Sequence, residues 1–290
     1  MRRLFGSACV LALAVATPGC QGAEPDRPGS PAARPSGSPL APARQPKQVT
    51  LPDDAAALAA VLDRQTRSVQ TVRVAVTVGT GGAASVAMTG SLRRSSGQPP
   101  AASLKIVQTG GEEPGTTHTV VVGGAVFTKQ DGQEYAPGKS WLRITRQDLA
   151  DPGLGDTKQT FEAVLNEAEQ AVRQVSADAG LTTLAHGAVT RPPTWEKLDS
   201  TPVRRYTGTS DTAALAGETG DPRFRQLASH GVRRLPWTIW VDRHGLPRQF
   251  ASTVTIPDAG TITTKAAYSG WGEPVAIAPP PSAQVATIGD

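Results

Sequence analysis

Residues 235–250 read LPWTIWVDRHGLPRQF. At a period of two, Leu235, Trp237, Ile239 and Val241 share one side, and Thr238 and Asp242 take the other, with Trp240 the one large apolar residue out of phase. After DRHG the alternation resumes, with Leu246, Phe250, Val254 and Ile256 set against Gln249, Thr253 and Thr255. Alternation on both sides of a glycine-containing turn predicts an antiparallel hairpin with one apolar face. What covers that face decides the rest: a closed core, or a space that another apolar molecule fills.

Working outward, similar strand patterns recur at TVRVAVTV (71–78), SVAMTGSLRR (85–94) and ASLKIVQT (102–109), then on both sides of Gly123-Gly124. WLRITRQDL then leads into the breaker-rich ADPGLGD, and further strands are predicted in TWEKLD, VRRYTGTSD and GTITTKAAYSG. Helices are few. LPDDAAALAAVLDRQTRSVQ is capped by Asp53 or Asp54 and carries the stripe Leu58, Val61, Leu62 and Val69. TFEAVLNEAEQAVRQVSADAG has the strongest stripe, Phe161, Val164, Leu165, Ala168, Val172 and Val175, and Gly180 is expected to end it. LTTLAHGA reads as a shorter helix or coil, and DPRFRQLASHG as a brief helix. Helix, strands, helices, then strands is an α+β order, with one large antiparallel sheet and its helices gathered on one side. A sheet of about ten strands normally curls or closes. Three or so modest helices are little cover for its apolar face, so an open apolar volume is expected there.

The N-terminus is of a different kind. MRRLFGSACVLALAVATPGC has two arginines, a short apolar run and then small residues, the pattern of a secretory signal peptide rather than a membrane span. Cleavage after Ala14–Ala16 would leave an unmodified secreted protein. Cleavage before Cys20, whose Gly-Cys ending is that of a bacterial lipobox despite Thr17 at the usual leucine position, would leave a lipid-anchored one. The second reading is taken forward, because Cys9 lies inside the signal and Cys20 is then the lone cysteine of the mature chain. Two acyl chains, at about 0.8 kcal/mol per buried methylene, hold firmly where one would not. Residues 21–50 carry a proline every few positions and almost nothing to bury, which predicts a disordered tether reaching on the order of 90 Å.

Charge and motif exclude several classes. Without Arg2 and Arg3 the remaining basic residues nearly balance the 25 acidic ones, and there is no basic run or aromatic platform for nucleic acid. His118, His186, His230 and His244 are far apart without metal-ligand spacing. GEEP at 111–114, followed by His118, is read as a loop acid cluster. No nucleophile elbow, phosphate loop or dinucleotide fingerprint is present. The expectation is a protein that is not an enzyme and needs no cofactor or metal.

Several segments together resemble the LppX/LprG-type lipoproteins of the actinobacterial envelope and, more distantly, the Lol lipoprotein carriers. They are Gly-Cys at Cys20, the capped helix leading into VRVAVTV, VRRYTGTSD, LPWTIWVDRHGLPRQF, and YSGWGEPVAIAPPP at 268–281. The resemblance implies a strongly curved antiparallel half-barrel with helices packed on its concave face and an apolar cavity between them for acyl chains of a lipid or glycolipid. It also implies a role in moving or presenting lipids between the plasma membrane and the outer envelope. The chain then divides into a signal peptide (1–19), a lipidated Cys20 with its tether (20–50), a lipid-binding half-barrel (51–282) and a C-terminal tail (283–290). The candidate cavity lining is Phe161, Val164, Leu165 and Val172 on the helix, with Leu235, Trp237, Ile239 and Val241 on the strand. Expected partners are a lipid or glycolipid ligand, the outer leaflet of the bacterial plasma membrane, and an envelope transporter or other protein, with the chain itself a monomer. A non-carrier sensor or adaptor that meets a protein partner through the same fold is the alternative.

Overall fold

A computed structural model describes residues 47–288, apart from 81–83, 96–97, 112–113, 156 and 258–259. The signal peptide, Cys20, most of the tether, and Glu112 and Glu113 of the GEEP loop lie outside the described residues.

One sheet of twelve strands organises the molecule: β1 (Thr71–Thr80), β2 (Ala84–Ser95), β3 (Gln98–Gly110), β4 (Gly115–Val122), β5 (Ala125–Gln130), β6 (Trp141–Thr145), β7 (Gly187–Leu198), β8 (Thr201–Asp211), β9 (Arg234–Asp242), β10 (Pro247–Ile256), β11 (Gly260–Ser269) and β12 (Val285–Thr287). Their order is β12-β6-β5-β4-β3-β2-β1-β11-β10-β9-β8-β7, open at both ends and curled, and the fold is α+β as expected. Every pairing is antiparallel except β12 with β6. Both edges are blunted. β12 is three residues long, and β7 carries Pro192 and Pro193 and shifts register twice between Val189 and Thr194.

The opening hairpin is β9 and β10, with Phe250 opposite Ile239. Its turn is held by Asp242, only 2% exposed, which accepts from the His244 and Leu246 backbone N–H groups at 2.9 and 3.0 Å and from Arg248 Nε at 2.8 Å. The out-of-phase Trp240 lies on the opposite face, where its Nε1 donates to Glu196 Oε1 at 2.6 Å. A register shift between Pro247 and Gln249 bends β10 just after the turn.

Five α-helices are found among the described residues: α1 (Ala55–Ser68), α2 (Thr157–Val175), α3 (Ala177–Ala185), α4 (Thr212–Thr219) and α5 (Pro222–Ser229). Asp54 caps α1, accepting from Ala57 N at 2.8 Å, and Leu58 and Leu62 of its stripe have no exposed surface. The long helix ends earlier than expected. Ser176 breaks it by capping α3, its hydroxyl accepting from Asp178 N, so Gly180 falls inside α3 rather than stopping α2. Glycine has a different reason to be there: a Cβ at Gly180 would stand 3.3 Å from the Phe250 ring. The helix-to-sheet approach is tight.

The C-terminus crosses to the other face of the sheet. Ile277 and Val285 pack there on Ala101, Val120 and Phe127. The chain then enters the sheet edge as β12 beside β6, past the point where the sequence pattern ends the folded region.

Candidate functional site

The register assigns one continuous set of side chains to the helix-covered face. Reading across β3, β2, β1, β11, β10 and β9, Ile106, Met88, Val76, Ala266, Phe250 and Ile239 form one row. This apolar face is divided by the helices above it. The C-terminal half of α2 lays Ala171, Val172 and Val175 on Val72, Val74, Met88, Leu92 and Leu104. Its N-terminal half lays Leu165 and Ala168 on Val126, Leu142, Ile144 and Ala286. α1 and α3 cover Tyr206, Trp237, Ile239 and Val241 with Leu58, Leu62, Leu181 and Leu184. Leu215 of α4, with Phe224 and Leu227 of α5, closes over Leu235, Val254 and Ile256.

The eight residues expected to line a cavity are therefore shared among these groups. Phe161 and Val164 are half-buried beside Leu165, at the end of α2 nearest β6. Val172 belongs to the central group, and Leu235 to the group under α4 and α5. Trp237, Ile239 and Val241 lie together under α1 and α3, none more than 1% exposed. Trp237 is also fixed by hydrogen bonds: its Nε1 donates to Ser210 Oγ at 2.9 Å, and that hydroxyl donates to the Thr183 carbonyl at 2.6 Å. Gly208 beneath it has no room for a side chain, since an added Cβ would stand 2.2 Å from the indole. In this arrangement Trp237 fills space.

Apolar side chains of the same face that are left half-covered include Val78, Val86, Ile106, Phe250 and Ile262. Val78 and Val86 are directly opposite each other, and Ile106 and Phe250 belong to the adjacent row. Their period-two spacing was legible in the sequence. Which of the many alternating positions would escape a helix depends on how α2 and α5 lie across the strands, and nothing local encodes that. Glu167 of α2 adds one ionisable group next to the apolar stripe, on the side of Val164 and Ala171. It is open to solvent yet crowded by protein, and desolvation raises its carboxyl above the usual carboxylate range.

Two clefts of pocket size lie elsewhere. One, of about 450 Å³, opens between α1, α3 and β2, where Arg67 pairs with Asp63 and Arg94 with Asp178. The other, of about 430 Å³, is on the opposite face of the sheet, between Pro280 and Pro281 and a wall that includes Lys105, His118 and Trp141. His118 Nε2 is 3.3 Å from Asp131 Oδ1 there. None of the eight expected residues lines either cleft. Among the described residues, no three of His, Cys, Asp and Glu come together as metal ligands, and no helix is long and apolar enough to cross a membrane.

No protein-family model and no curated protein matches the chain. Solved structures do. LprF from Mycobacterium bovis is similar over 78% of this chain and 96% of its own length, with 18% identity and a TM-score of 0.47. The Mycobacterium tuberculosis lipoprotein LppX covers 77% and 98%, with 16% identity and a TM-score of 0.43. A DUF1329 family protein from Desulfovibrio piger covers 74% and 90%, with 12% identity and a TM-score of 0.24. The two mycobacterial structures are of the LppX/LprG type that the hairpin and the C-terminal segment of this sequence resemble.

Proposed function

We propose that the protein is an exported lipoprotein, anchored through Cys20 to the outer leaflet of the plasma membrane, that holds acyl chains of a lipid or glycolipid against the helix-covered face of its sheet. The observation that carries this reading is the group Val78, Val86, Ile106, Phe250 and Ile262, apolar side chains on one face that the helices leave half-covered. An acyl chain laid along them removes that surface from water. A methylene gains about 0.8 kcal/mol on leaving water for such a site and close to nothing on leaving a bilayer for it. Exchange with a membrane is therefore nearly balanced, which suits a carrier or a presenter and needs no catalytic group. Deeper insertion requires a helix to lift, and the joint at Ser176 between α2 and α3 is the natural hinge, because no backbone helix runs through it.

Uptake of a fluorescent fatty acid such as cis-parinaric acid tests the reading. The protein should enhance its emission saturably, and Val86→Asp or Ile106→Asp should weaken uptake several-fold while the chain stays folded. No saturable uptake by the native sequence, or the same uptake by both variants, would overturn it.

The adaptor reading draws support from a different observation, the close packing of Trp237, Ile239 and Val241 under α1 and α3. It predicts a single stoichiometric protein partner recovered from a lipid-free preparation.

A further inference from the structure

We propose that the surface around Trp195 and Arg243 is a docking face for a bilayer that presents anionic phospholipid headgroups. This rests on the reading that Cys20 tethers the chain to a membrane, and it adds how the folded part meets that membrane. Trp195 is 55% exposed, the one large apolar side chain so exposed among the described residues. A tryptophan in that state leaves an apolar body in water, and the membrane interface is where such a ring is best accommodated.

Its surroundings are basic. The Arg243 guanidinium stands over the indole, 6.0 Å from its centre. Lys197 is two residues along the same strand and so on the same side as Trp195. Lys47 begins the described chain close by, because Val49 N donates to the Arg243 carbonyl at 3.0 Å. Lys47, Lys197 and Arg243 are exposed and form no ion pair among the described residues. Nearby acids are largely engaged: Asp53 pairs with Arg204 at 2.5 Å, Glu196 accepts from Trp240, and Asp54 caps α1. Asp199, in the turn after β7, and Asp54, whose cap leaves its charge in place, are the exposed acids without a cation partner among the described residues. Unpaired cations beside an exposed tryptophan match a surface of headgroup phosphates above acyl chains.

Charge around the exposed ring selects the bilayer over other occupants, and connectivity is consistent with it. The segment that carries Cys20 joins the folded domain at residues 47–49, and Val49 is bonded to the same residue, Arg243, that lies over Trp195. The tether that an anchor at Cys20 would hold therefore enters the folded domain beside Trp195. A partner protein adding a strand at the β7 edge would have to pass Pro192, Pro193 and the register shifts of that strand.

Residues 20–290 carrying Cys20→Ser, which removes the covalent anchor, should sediment with vesicles of equal parts phosphatidylglycerol and phosphatidylcholine and far less with phosphatidylcholine alone. Trp195→Ala should weaken that binding about tenfold, and Arg243→Ala about fivefold. Added salt should weaken it further. Brominated lipid should quench tryptophan emission in the native sequence and not in Trp195→Ala. Failure of the native sequence to bind anionic vesicles, or equal binding by Trp195→Ala, would overturn the proposal. So would a self-associated chain that Trp195→Ala turns into a monomer. Uptake of cis-parinaric acid should be unchanged in both variants, so that loss of acyl binding and loss of docking are separately visible.

Discussion

Gly208→Ala is the sharpest test of how the helix-covered face is filled. The added methyl would stand 2.2 Å from Trp237 Cζ2 and 2.4 Å from the Ala188 carbonyl oxygen. The carbonyl belongs to the paired strand, and the indole is held by Ser210 and boxed in by α1 and α3, so neither yields cheaply. Overpacking of this kind costs about 1–3 kcal/mol, and displacing the indole adds about 1 kcal/mol for its hydrogen bond. Alanine's advantage over glycine in a strand returns about 0.5–1 kcal/mol. The net expectation is a loss of about 2 kcal/mol in urea unfolding, or a Tm lower by roughly 4–8 °C for a domain of this size. Trp237→Leu alone should also destabilise, by about 2–3 kcal/mol. The double variant should cost less than the two single losses added together, by at least about 1 kcal/mol, because the smaller residue vacates the space the methyl needs. A Gly208→Ala protein as stable as the native sequence, or strict additivity in the pair, would refute the close packing described for Trp237.

Three further outcomes are expected. Asp242→Ala removes a buried carboxylate that holds two backbone N–H groups and Arg248, and should cost about 3 kcal/mol in denaturant unfolding; a loss below about 1 kcal/mol would contradict its role in the hairpin turn. Burial raises the phenols of Tyr135, Tyr206 and Tyr268, that of Tyr206 to about 12 with the Arg204 guanidinium opposing the shift. A folded state that keeps its phenol protons above pH 10 loses stability as pH rises from about 10 toward 12, and absorbance titration should show tyrosinate appearing with unfolding rather than near pH 10 in the folded protein. Cys20→Ser should release the protein from the membrane fraction in a high-salt wash that leaves the native chain behind; retention of the variant through that wash would contradict the anchor.

The hairpin of β9 and β10 was legible because its alternation is strict and its turn is only a few residues long, so local pattern and tertiary contact coincide. The same holds for β1 to β3 and for the capped start of α1. The break at Ser176 was hidden by the continuous apolar stripe, which runs past the serine without a change of phase. α4 went unread because TAALAGET has little amphipathic contrast, and it is held by Asp211, which accepts from Ala214 N, and by Leu215 packing under α5. β12 pairs with a strand far back in the chain, in parallel, and no short-range signal announces such a pairing. The candidate site divides in the same way. Period two correctly assigns Trp237, Ile239 and Val241 to the helix-covered face, yet whether a residue there touches protein or lines open space depends on which helix crosses above it. That is why Val78, Val86 and Ile106 were not singled out, and why Trp237 was.

Native mass spectrometry of the Cys20→Ser chain, recovered gently after export from its own cells, tests the central claim most directly. Any lipid it carries is then non-covalent. The account predicts a fraction of molecules heavier by the mass of one acyl lipid, and loss of that fraction in Val86→Asp. The bare polypeptide mass alone, with no lipid released on denaturation, would contradict it.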